Sequence, residues 1–89
     1  MRFSNIIYFC DCYLIMLDYE EELADIIGDF AKKETNKKII KLKNECEEIL
    51  SLDNIMKVKE TKKIIKNCAD LDIEADEMLE ILECVYTNL

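Results

Sequence analysis

The residue types able to do chemistry in this chain are five cysteines, twenty carboxylates, eleven lysines and four tyrosines; histidine is absent. Without histidine the chain lacks the commonest general base near neutral pH, the usual activator of a serine or cysteine nucleophile, and the commonest metal ligand. A single glycine, Gly28, excludes a glycine-rich phosphate loop. Cys10-x-Cys12 is the one close thiol pair, and Cys46, Cys68 or Cys84 would extend it to a thiolate metal set. Structural zinc sites bring two close pairs together, and no second pair is present. No metal and no cofactor are therefore expected. Cys46 and Cys68 fall on apolar helical stripes, where cysteine behaves as a small buried hydrophobe. The odd count, in no secreted framework spacing, fits reduced thiols in a cytoplasmic compartment. The carboxylates occupy surface-type helical positions, so catalysis is not expected.

Lysine is the other chemically informative type. Nine of the twelve bases lie between Lys37 and Lys66. The same stretch reads one phrase twice: Lys33-Glu34-Thr35-Asn36-Lys37-Lys38-Ile39-Ile40-Lys41, then Lys59-Glu60-Thr61-Lys62-Lys63-Ile64-Ile65-Lys66. A duplicated helical unit would produce such a repeat. The one-residue offset, and the use of the chain's commonest residues, favour coincidence. Lys37, Lys41, Lys62, Lys63 and Lys66 share one surface if the helices carrying them pack antiparallel, which makes them a candidate nucleic-acid face. Against this, no arginine or aromatic residue is interleaved to clamp or stack on bases. The net charge of −8 also opposes nonspecific binding over the whole surface. A helix-turn-helix pattern can be laid over Ile64 to Leu82, with Cys68 at the small position and Leu71 and Ile73 in the turn. Its second helix would bring Glu74, Asp76, Glu77 and Glu80 against phosphates, which repel them.

Phe3 to Leu17 is apolar almost all round, with Asp11 at its centre. The carboxylate and the acidic cluster that follows argue against a signal peptide. The run also falls short of the roughly 20 residues a membrane span needs. A helix is expected here, with three uses open to it. It can be buried at the centre of a bundle. It can offer Ile7, Phe9, Tyr13 and Leu14 to a protein partner or to a second copy, since an apolar segment of this size is a liability if left exposed. Or Met16 can be the true start, with residues 1–15 an extended gene reading.

These groups must be positioned by helices. With no proline and one glycine, 51% apolar and 36% charged residues, the 89-residue chain is expected to form one all-α domain. The expected architecture is a compact bundle of four short helices, or five if residues 3–17 form their own. The four lie near residues 18–33, 36–51, 54–69 and 73–87. Asp18-Tyr19-Glu20-Glu21 has the form of a capping box, and Thr35, Asn36, Asp53 and Asn54 are cap candidates. Apolar positions recur at helical spacing: Tyr19, Leu23, Ile26, Ile27 and Phe30, then Ile39, Leu42, Cys46 and Ile49. Ile55, Val58, Ile65 and Cys68 form the third expected inward face, with Ile64 beside it. Ala75, Met78, Leu79, Leu82 and Val85 form the fourth. Ala24, Gly28 and Ala31 make a small-residue edge where a neighbouring helix would pass close. In the second helix, lysines precede glutamates, an order that opposes the helix dipole and so has no local purpose. From Asp70 onward there are seven acids and no base. The pattern points to a small acidic helical protein that works by protein–protein interaction or regulation. Small acidic inhibitors carried by phages and other mobile elements are compatible with it.

Overall fold

The computed structural model describes residues 3–14, 22–68, 71 and 73–89. Five helices form, α1 (Ser4–Cys12), α2 (Leu23–Lys33), α3 (Asn36–Leu50), α4 (Asn54–Asn67) and α5 (Ala75–Asn88), and no strand occurs among the described residues. The apolar N-terminal segment supplies the fifth helix. The capping box expected at Asp18 lies outside the described residues.

Local chemistry accounts for most of the boundaries. Thr35 caps α3, its Oγ1 accepting from the Lys38 amide at 3.3 Å. Asp53 caps α4 through the Met56 amide at 2.9 Å. Each cap satisfies an amide that has no partner within its own helix. Lys32 and Lys33 close α2, and Asp76 and Glu77 open α5, the signs that the helix dipole favours at those ends.

Helix α5 packs against α2, α3 and α4, while α1 lies on α3 and α4. The interior they enclose contains Ile6, Phe9, Phe30, Leu42, Ile49, Met78, Leu82 and Val85, all essentially without solvent contact. Among the described residues the expected faces of α2, α3 and α5 point inward, except that Leu23, Ile39 and Leu79 are only half-buried; Tyr19 lies outside the described residues.

Two expectations about packing need correction. Helix α4 is rotated from its expected face. Ile55 is 82% exposed, and Val58 and Ile65 are half-buried, whereas Thr61, Ile64 and Cys68 are buried. Thr61 enters the interior because its hydroxyl donates to the Lys57 carbonyl at 2.7 Å, one turn back in the same helix. The side chain then packs like valine with its polar atom satisfied. The small-residue edge on α2 receives no neighbour: a Cβ added at Gly28 would meet nothing within 4 Å, and Ala24 and Ala31 are exposed. Gly28 therefore costs α2 about 1 kcal/mol relative to alanine without a packing return.

Candidate interaction surfaces

Of the predicted partner-binding residues, Phe9, Tyr13 and Leu14 are buried and Ile7 is half-buried against the core. The Phe9 ring stacks on Tyr13 at 5.9 Å and meets Phe30 edge-on at 5.4 Å, while Tyr13 meets Phe30 at 5.2 Å. The chain's own interior consumes the segment, with Phe9 and Tyr13 packed on the Phe30 ring. A dimer or partner contact through these four residues would require α1 to leave its seat.

Polar contacts between residues distant in the chain, not anticipated from their spacing, hold α1 there. The Tyr8 and Tyr13 hydroxyls both donate to Glu34 Oε2, at 3.2 and 2.5 Å. The Lys38 ammonium sits 3.8 Å from the centroid of the Tyr8 ring, a cation–π contact. That hydrogen bond to Glu34, followed by burial, raises the Tyr13 phenol above its ordinary value. At the start of α1, Phe3 adopts a left-handed backbone (φ 64°) and no local side chain caps the helix. Glu45, on α3, does so instead: its Oε1 accepts from the Asn5 amide at 2.9 Å and the Ile6 amide at 3.1 Å, and its Oε2 accepts from the Asn5 side chain. This explains part of the charge order in α3 that opposes its own dipole. Glu45 serves the positive end of another helix.

Cys10, Cys46 and Cys68 are buried, Cys12 is exposed and Cys84 half-buried; none forms a disulfide. Contact with the Cys68 sulfur and burial raise Cys10, and burial with the nearby Glu45 charge pushes Cys46 up to about 12. Both are protonated at neutral pH and poor nucleophiles. Among the described residues no group of three or more cysteines and carboxylates is arranged to hold a metal ion. No described helix is long and apolar enough to cross a membrane.

In the stretch of the helix-turn-helix pattern, α4 ends at Asn67 and α5 begins at Ala75, a separation longer than the three or four residues of such a turn. Lys37, Lys41, Lys62, Lys63 and Lys66 are all exposed. The structure divides them: Lys37 and Lys41 join Ser4, Asn5, Thr35 and Lys38 around a concavity of about 320 Å³, whereas the α4 lysines are not part of its lining. Lys63 pairs with Glu60 at 3.6 Å.

The acids form a second surface. On α5, Asp76, Glu77, Glu80 and Glu83 are exposed, and none pairs with a described cation. On α2, Glu22, Asp25 and Asp29 line a concavity of about 280 Å³ together with Tyr13 and Ile26. Their spacing of three and four residues places the three carboxylates on one side of the helix. Of the large apolar residues described, Ile40, Ile55 and Met56 are exposed, Ile40 in the second turn of α3 and the other two in the first turn of α4. No protein-family model matches this chain, and neither a curated protein nor a solved structure is detectably similar to it.

Proposed function

We propose that this chain is a small helical binding protein that docks the acidic faces of α2 and α5 onto a basic protein partner, in a regulatory and not a catalytic role. One observation carries the reading: two mainly apolar side chains, Tyr13 and Ile26, line the α2 concavity together with three carboxylates, Glu22, Asp25 and Asp29. A lysine or arginine side chain has the matching form, an aliphatic stem with a charged head. The unpaired carboxylates of α5 extend the same sign of potential, which steers a basic partner and disfavours acidic ones. The five unbridged cysteines support a reducing compartment such as the cytoplasm.

Titration of labelled protein with a lysine- and arginine-rich helical peptide, followed by amide NMR, tests the reading. Saturable shifts at Glu22–Asp29, abolished in the Asp25→Lys/Asp29→Lys variant, are expected. Shifts scattered over the surface, or unchanged by the charge reversal, refute it. A second reading, binding of nucleic acid, is favoured by the exposure of all five candidate lysines. It requires oligonucleotide binding that weakens steeply with added salt.

A further inference from the structure

We infer that the concavity between the starts of α1 and α3 is a binding site for the phosphate groups of a small phosphorylated ligand, held by Lys37, Lys38 and Lys41. The cavity has a volume of about 320 Å³, and every residue lining it is of a polar type: Ser4, Asn5, Thr35 and the three lysines. No carboxylate lines it. Lys37 and Lys41 lie one turn apart on α3, where like charges repel, and neither makes an ion pair with a described residue. Lys38 is adjacent, its ammonium fixed against the Tyr8 ring.

The nearest acids have other partners. Glu45 is engaged by the α1 amides and the Asn5 side chain, and Glu34 by the Tyr8 and Tyr13 hydroxyls. Neither forms an ion pair with these lysines among the described residues, although Glu45 lies one turn beyond Lys41 on α3 and keeps its charge. In a chain of net charge −8, the ammoniums of Lys37 and Lys41, with Lys38 held on the Tyr8 ring beside them, gather positive charge around one cavity and favour an anion there. The donor types select among anions. Lysine binds phosphate as a point charge, whereas paired recognition of a carboxylate is the work of arginine, and none is here. The Ser4 and Thr35 hydroxyls add neutral donors. Two ammoniums a turn apart can each take one phosphate of a diphosphate or triphosphate.

This inference is independent of the acidic docking face, and its test uses different residues. The probe is sodium pyrophosphate, titrated at constant ionic strength against a chloride control and followed by amide NMR. Saturable shifts at Ser4–Ile6 and Thr35–Lys41 are expected. The Lys37→Gln/Lys41→Gln variant should bind about tenfold or more weakly, in line with the loss of charge-assisted hydrogen bonds. The Lys62→Gln/Lys63→Gln variant should bind as the parent does. A short single-stranded oligonucleotide then distinguishes the source of the phosphate. Displacement of pyrophosphate assigns the site to a nucleic-acid backbone, and failure to displace it assigns the site to free phosphorylated metabolites. Absence of saturation overturns the inference. So does equal weakening by both double variants, which would mark diffuse attraction to lysines at large. Thermal melts of both variants verify that each is folded.

Discussion

In its first occurrence, Lys33 to Lys41, the repeated phrase leaves one helix and enters another; in its second, Lys59 to Lys66, it lies wholly inside α4. Glu34 has an extended backbone (ψ 159°) and reaches the two α1 tyrosines, while Glu60 is helical and meets only Lys63. Thr35 is a helix cap, exposed; Thr61 is mid-helix and buried. The aligned isoleucines differ too: Ile39 is half-buried where Ile64 is 2% exposed, and Ile40 is 58% exposed where Ile65 is half-buried. The two copies are not equivalent structural units. Nearly identical words take different structures because their contexts differ. By Lys59 a helix capped at Asp53 is already running, and adding a residue to an existing helix is far easier than starting one. At Lys33 a helix is ending, and Asn36, absent from the second copy, follows Thr35 at the start of α3, where Thr35 caps through the Lys38 amide.

Paired substitutions sharpen this contrast. The largest difference is expected between the isoleucines. Ile64→Ala removes a buried side chain and should cost about 2–5 kcal/mol in chemical unfolding, while Ile39→Ala, at its half-buried counterpart, should cost clearly less. Equal effects would mean that the two copies share an environment after all. Next come the glutamates. Glu34→Ala leaves the buried Tyr13 hydroxyl without its acceptor, at a cost of about 1–3 kcal/mol. Glu60→Ala removes a surface ion pair worth about 0–1 kcal/mol.

The glutamate contrast extends to pH. The Glu34 hydrogen bond, with burial, raises the Tyr13 pKa in the folded state. Its contribution is fully present below the unfolded tyrosine value of about 10 and is lost as pH rises through the higher folded value. Thermal stability should therefore fall above about pH 10 less steeply in Glu34→Gln than in the parent or in Glu60→Gln. An identical alkaline slope in all three would remove Glu34 as the cause. The smallest contrast concerns the threonines and should differ in character. Thr35→Val loses a cap, about 1 kcal/mol. Thr61→Val keeps the shape and removes a hydroxyl bonded only to its own helix, so it should be neutral within about 0.5 kcal/mol or slightly stabilising.

The legible part of the fold was the part governed by near neighbours. The caps at Thr35 and Asp53 were readable because the side chain and the amide it satisfies lie three residues apart. The faces of α2, α3 and α5 were readable from apolar spacing. Helix α4 was misread because its pattern treats Ile55 as inward and Thr61 as outward. Hydrophobicity ranks those side chains correctly, but it does not register that the first turn of α4 is exposed or that a threonine can satisfy itself on its own helix. Of the candidate surfaces, the lysines were correctly placed outside. Their division between the α1–α3 concavity and α4 was not readable, and Lys38 was missed because its neighbour Tyr8 is thirty residues away in sequence.

Helical class, the interrupted positions near residues 35 and 53, and the polarity of charge along the chain follow from composition, spacing and bonds that close within a turn. Packing alone decided that the N-terminal segment would be interior and not offered outward, that Glu45 would cap a helix forty residues away, and that one phrase would bend while its copy stayed straight. The physical reason is range. A cap or a periodic stripe draws its energy from groups the chain already holds close. The seating of α1 depends on the Phe30 ring, Glu34 and Glu45, which come together only when the whole bundle closes.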